Sequence, residues 1–184
     1  MILILAGQAW AVPVSADSGQ GVLPPFYQLT SRPCPPFCVT PFSPHPDIST
    51  VGEIELQRLQ SSGDVLMVDV RRRKIINQTG FIPGAVSIPF YEIGLRYGAD
   101  PVLHENHLER FGIRLRDGRT PDFSNAGKLL FYDNGVWDGA ALRNLRTLLG
   151  LGYPPEKLYW YRGGMSDWLI AGLPVTKGDR HGSE

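Results

Sequence analysis

The residues able to do chemistry fall into a few short stretches. Cys34 and Cys38 are the two cysteines of the 184-residue chain, four positions apart in Ser31-Arg32-Pro33-Cys34-Pro35-Pro36-Phe37-Cys38. In an oxidising compartment the pair would close a small disulfide loop. So short a loop removes little chain entropy, so the bridge would be a weak local staple. A redox role is the sharper alternative, because strained or exposed bridges are the labile ones. Arg71-Arg72-Arg73-Lys74 is a compact basic run, suited to an anionic partner or simply solvated. Asp133-Asn134-Gly135-Val136-Trp137-Asp138-Gly139 reads as a polar loop directly after an apolar run. His104 and His107 lie three apart, and neither they nor His45 and His181 meet a partner at triad or zinc spacing. No metal and no cofactor is therefore expected.

The elements that must position these groups begin at Ile48. Ser49 or Thr50 can cap a helix carrying Val51, Ile54, Leu56 and Leu59 and ending at Gly63. Val65-Leu66-Met67-Val68-Asp69-Val70 is the continuous apolar run of a strand buried on both faces. Gly84 to Ile88 reads as a further strand, stopped by Pro89. His104 to Phe111 predicts a helix ending at Gly112, and Asp117-Gly118 and Asp122 to Gly127 read as loops. Lys128 to Tyr132 is a strand that runs into the Asp133 loop, and a helix follows from about Ala140 to Leu149. Leu158 to Tyr161 is another strand, with one face in the core and one exposed; after Gly163-Gly164 comes a short helix from Met165 to Ala171, whose Trp168 packs it on the sheet.

Strands alternating with helices predict a three-layer α/β domain over residues 47–177, with a mostly parallel central sheet flanked by helices. In such sheets sites lie beyond the carboxyl ends of the strands, where the loop after Tyr132 falls. Before the domain, residues 12–46 form an irregular Pro-rich arm whose apolar residues call for packing on the domain or on a partner. Residues 178–184 read as a disordered tail. The apolar start and Ala9-Trp10-Ala11 make residues 1–11 the end of a signal peptide, a buried strand being the alternative, so a periplasmic or secreted location is expected. Lysine plus arginine and aspartate plus glutamate number 18 each, so no overall field favours nucleic acid. No stretch approaches the ~18 apolar residues of a transmembrane helix.

Val68-Asp69-Val70-Arg71, then Gly80-Phe81-Ile82-Pro83-Gly84-Ala85-Val86-Ser87-Ile88-Pro89, then Gly163-Gly164-Met165 with Trp168 and Gly172-Leu173-Pro174-Val175, resemble the ordered signature segments of rhodanese-like domains. The resemblance covers roughly residues 48 to 176. It implies a thiosulfate or persulfide sulfurtransferase, in which a cysteine just after the central strand opens a loop of backbone N–H groups that stabilises a charged sulfur. Here Asp133 stands at that place. Asp138 and Gly139 replace the arginine and the small hydroxylated residue near the end of such loops, and Phe81 replaces a histidine before the Ile-Pro-Gly element. Trp137 and Asp138 are similar to a rhodanese-like subgroup associated with quinoprotein systems, with Asp133 and Val136 where its two cysteines would be.

A carboxylate cannot accept a sulfane sulfur as a thiolate does. The resemblance therefore implies a degenerate sulfurtransferase, and with the export signal and the apolar arm it suggests an exported protein- or anion-binding module with a protein partner. Asp133 is expected to accept the loop N–H groups and stay ionised, as a permanent mimic of the anionic sulfur, a role as nucleophile or base being the alternative. Asp69 and Arg71 are expected at the mouth, where they could contact an anion or cap a neighbouring loop. Two alternatives stay open: an enzyme whose thiol has moved to Cys34 or Cys38 over the loop mouth, and a structural subunit of a larger exported assembly.

Overall fold

A computed structural model of the chain describes residues 43–94 and 101–177. The signal segment, the cysteine pair, most of the arm, His181 and the predicted tail lie outside them.

Three apolar runs dictate the centre. They form β2 (Val65–Asp69), β6 (Lys128–Tyr132) and β7 (Leu158–Tyr161). Along β6, Leu129 and Phe131 enter one hydrophobic cluster while Leu130 and Tyr132 enter another. This is the two-residue period of a strand buried on both faces. β7 behaves alike, with Leu158 and Trp160 in the first cluster and Tyr161 in the second. Its expected exposed face is therefore a correction, since Tyr159 also packs against the second cluster. With β1 (Ser49–Val51) and β3 (Val86–Ser87) these strands make one parallel sheet in the order β1-β7-β6-β2-β3.

Helices cover both faces. On one lie α4 (Pro101–Arg110), which contributes Leu108, and α5 (Ala140–Leu151), which contributes Leu145 and Leu148. On the other lie α1 (Glu53–Ser62), with Leu56, and α6 (Gly164–Ile170), with Met165 and Trp168. Trp168 meets Tyr161 edge-on at 6.4 Å, and its Nε1 donates to Pro174 O at 2.7 Å, tying the last helix to the segment behind it. The predicted three-layer α/β architecture is the observed one. Among the described residues no helix is long and apolar enough to cross a membrane.

Several elements differ from expectation. Ser49–Val51 is an edge strand paired with Tyr159–Tyr161 rather than the start of a helix. The helix starts after Gly52, where the Glu55 carboxylate accepts the Gly52 N–H at 3.2 Å. Arg73–Thr79 forms α2, and Phe90–Ile93 forms the short α3. Arg114–Arg116 and Thr120–Asp122 form an antiparallel hairpin, β4 and β5. Its turn carries Asp117 at φ 52° and Gly118 at φ 64°, the left-handed pair that suits strand twist.

The link from β2 to β3 leads to one side of the sheet, and that from β6 to β7 leads to the other. The chain therefore splays at the carboxyl ends of β2 and β6, opening the position where parallel sheets place their sites. A buried ion pair closes the floor on the β2 side. Asp69 and Arg71 are 0% and 1% exposed. The Arg71 guanidinium donates to the Asp69 carboxylate through Nε at 2.9 Å and Nη2 at 2.6 Å, to Gly80 O at 2.7 Å and to Thr79 Oγ1 at 2.9 Å. Removing one partner strands the other charge in the interior, which costs roughly 3–5 kcal/mol. Arg71→Met is expected to lower unfolding stability by about that amount, while Asp69→Asn combined with Arg71→Met loses less than the two single losses added together. Urea unfolding of the four species checks the coupling, and simple additivity would refute it.

Candidate functional site

The loop after β6 turns back on itself, and nearly every group in it can be followed to a partner. Asp133 leaves the strand fully buried. Its Oδ1 accepts the Gly135 N–H at 3.2 Å, and its Oδ2 accepts the Ala141 N–H, in the first turn of α5, at 2.9 Å. Asp138 does the same one step along: Oδ1 accepts the Ala140 N–H at 3.0 Å and Oδ2 accepts the Asn134 side-chain amide at 2.6 Å. A helix start leaves several N–H groups without intrahelical acceptors, and these two acids fill two of them.

The loop carbonyls are satisfied from the opposite side. Met165 and Ser166 N–H donate to Asp133 O and Asn134 O at 2.9 and 3.0 Å, so the start of α6 is laced to the loop. Gly164 permits the approach: its φ is 58°, and a side-chain carbon there would sit 2.5 Å from Asp133 O. Asp138 N–H closes a tight turn on Gly135 O at 2.8 Å. The Trp137 ring packs where a side chain on residue 135 would lie.

The electrostatics of Asp133 differ from the expected ionised carboxylate. Burial pushes its carboxyl well above the usual range, the negative Asp138 pushes in the same direction, and the bonds from Ala141 and Gly135 only partly offset them. The side chain fills the cradle as an acceptor, and the cradle does not favour a free charge there. As a nucleophile or base it is badly placed, since it is enclosed and its oxygens are already bonded.

The other predicted residues are distributed as follows. Asp69 and Arg71 lie beneath the site rather than at an open mouth, fully buried and bonded to each other. Arg71 thereby leaves the solvated basic run in which it was read, whereas Arg72, Arg73 and Lys74 are exposed. Arg73 pairs at 2.9 Å with the buried Glu92, which also accepts from His107 Nε2 at 3.1 Å. His104 Nδ1 bonds Ile93 O. The two histidines thus serve the packing of α3 on α4, and among the described residues no cluster of His, Cys, Asp and Glu could hold a metal.

Two features escaped the sequence. Arg72 and Arg143 both lie over the Phe90 ring, with guanidinium carbons 5.7 and 4.8 Å from its centre. Only the spacing of aromatic and arginine along separate elements could have hinted at this. On the other flank a cavity of about 210 Å³ is lined by Thr50, Glu53, Val136, Tyr161, Arg162 and Asp167. Tyr161 donates to the Glu53 carboxylate at 2.6 Å, and burial together with Glu53 raises the Asp167 carboxyl. Asp133 is not among its walls.

A family model described as the rhodanese-like domain matches residues 54–171. A curated relative, an HTH-type transcriptional regulator of Mycobacterium tuberculosis, is 29% identical over 124 residues, which is 67% of this chain and 43% of that protein. The chain therefore spans less than half the length of the curated relative it matches. Among solved structures, a human single-domain sulfurtransferase is 26% identical, covering 66% of this chain and 95% of its own, with a TM-score of 0.46. A Rhodopseudomonas palustris protein of unknown function, described as a possible tyrosine phosphatase, is 25% identical over 70% of this chain and 85% of its own, with a TM-score of 0.47.

The raised Asp133 carboxyl has a signed consequence. A carboxyl whose folded pKa lies above its unfolded value, about 3.9, binds its proton more tightly when folded. It contributes stability that is complete below the unfolded value and is lost as pH rises through the folded one. Wild-type stability measured against Asp133→Asn is therefore expected to fall as pH is raised from about 4. Urea unfolding of both proteins across a pH series tests this, and a wild type that gains on the variant with rising pH would show an ionised, stabilised carboxylate instead.

Proposed function

We propose that this chain, which belongs to the rhodanese-like domain family, does not transfer sulfur at its central loop and works instead as a binding module. The bonding of Asp133 carries the reading. Sulfur transfer at such a loop needs a thiolate: it takes the sulfane sulfur of thiosulfate, sulfite leaves, and the resulting persulfide passes its outer sulfur to cyanide as thiocyanate. Asp133 offers oxygen in place of that thiolate, and no cysteine follows Cys38 in the chain. Moreover the N–H groups of Gly135 and Ala141, which would stabilise an anionic sulfur, are already spent on the Asp133 carboxyl.

The same reading covers the rest of the chain. The apolar start and Ala9-Trp10-Ala11 support export, and an oxidising compartment would bridge Cys34 and Cys38. The Pro-rich arm, with its surplus of apolar residues, supports a protein partner. The competing reading keeps the chemistry and moves the thiol to Cys34 or Cys38.

A thiosulfate–cyanide assay separates them. The full chain is expected to form no thiocyanate above background, whereas Asp133→Cys, which restores a thiol to the cradle, takes up one sulfur atom from a persulfide donor, as seen by mass spectrometry. Robust turnover by the wild type would end the proposal, and its loss in Cys34→Ser would assign that turnover to the relocated thiol.

A further inference from the structure

We infer that Arg72 and Arg143, held against the single ring of Phe90, form a binding site for a tetrahedral oxyanion, phosphate or sulfate. The inference rests on the closed Asp133 loop, because an open cradle of N–H groups would compete for the same ion.

Three observations point there. First, the acids at this end of the sheet are engaged elsewhere: Asp69 with Arg71, Glu92 with Arg73 and His107, Asp133 and Asp138 with the start of α5. Among the described residues no carboxylate lies within ion-pair distance of Arg72 or Arg143, although Arg143 is largely buried and its Nε is buried without a partner. A partly desolvated, unpaired guanidinium is a cost that an anion would offset.

Second, stacking on an aromatic ring engages the face of a guanidinium and leaves its in-plane N–H fork open. Both guanidinium carbons lie over one ring, at 5.7 and 4.8 Å from its centre. Two cations gathered on one ring repel each other, and a dianion shared between them converts that repulsion into attraction. Two guanidiniums together offer more N–H donors than the two oxygens of a carboxylate can take, and a tetrahedral ion has acceptor oxygens for them.

Third, the backbone pre-organises all three residues. Phe90 N–H donates to Val70 O at 2.9 Å, which pins the ring to the end of β2. Arg72 caps α2, its carbonyl accepting from Ile75 and Ile76, and Arg143 lies in the first turn of α5, its N–H donating to Gly139 O at 3.0 Å. The main chain at all three residues is therefore fixed before any ligand arrives. The site lies on the β2–β3 side of the Asp133 loop, across it from the cavity at Glu53 and Tyr161.

The test is an NMR titration of the isotope-labelled full chain with inorganic phosphate and with sulfate, at constant ionic strength set by chloride, with acetate as the control anion. Phosphate and sulfate are expected to shift the Arg72 and Arg143 side-chain signals saturably, and acetate is not. Arg72→Ala and Arg143→Ala should each weaken binding about tenfold or more, and Arg143→Lys should weaken it too, having lost the fork while keeping the charge. Phosphoserine as a further ligand separates a free ion from an ester: tighter binding than inorganic phosphate assigns an esterified group, weaker binding a free ion. Linear shifts, or saturation equal to that of acetate, would overturn the oxyanion site alone. Saturable shifts at the Gly135 and Ala141 N–H groups that survive both arginine variants would put the ion in the loop and overturn the closed-loop reading with it.

Discussion

A sharp loop feeding a helix produces more backbone donors than it can satisfy for itself, and the Asp133 carboxyl is where this fold resolves that excess. The residue stands at the end of the central strand, with its two oxygens turned on Gly135 and Ala141. The loop carbonyls then face the start of α6, which donates to two of them. Loop, α5 and α6 are thereby joined through the carboxyls of Asp133 and Asp138 and two backbone bonds from the start of α6. An external anion at the same place would have to displace a group tethered to the chain, which acts at high effective concentration. The concavity that makes such loops good anion cradles is present, and it is filled from within.

The burial of this carboxyl is tolerated because its neighbours are handled pairwise. Asp69 is matched by Arg71, and the Tyr132 hydroxyl, which accepts the Ile82 N–H at 3.1 Å, links the centre of the sheet to the segment that returns beside it. Burial lifts the Tyr132 phenol far above its usual range, so it remains a neutral acceptor and donor. The floor of the site is thus a buried network built around Asp69, Arg71 and Tyr132. Buried polar networks of this kind favour one arrangement of their members.

How much of this the sequence disclosed depended on whether a signal was local. Lys128–Tyr132 and Leu158–Tyr161 were legible to the residue, because strands buried on both faces spell themselves as apolar runs. Asp133 was legible as the residue delivered to the loop. Ser49–Val51 was not: its partner is Tyr159–Tyr161, far along the chain, and three residues with one buried side chain carry no period. The β4–β5 hairpin announced itself only by Asp117-Gly118, since its strands are largely exposed and lack apolar alternation. Arg71 was misplaced among solvated bases because its partner, two residues back, becomes decisive only once both are enclosed. The Phe90 cluster needed three separate elements to be assembled before it existed at all.

The two kinds of positive potential at this end of the sheet therefore have different fates. The backbone potential of the loop is met by a carboxyl that the chain itself supplies, at a position fixed by the strand before it. The side-chain potential of Arg71 and Arg73 is met likewise, by Asp69 and Glu92. Among the described residues Arg72 and Arg143 have no carboxylate partner, and they lie against an aromatic ring instead. An aromatic ring attracts a cation without neutralising it, so it can gather two cations and still leave their charge to be read from outside. The filled loop and the two guanidiniums left beside Phe90 are thus two consequences of the same distribution of acids.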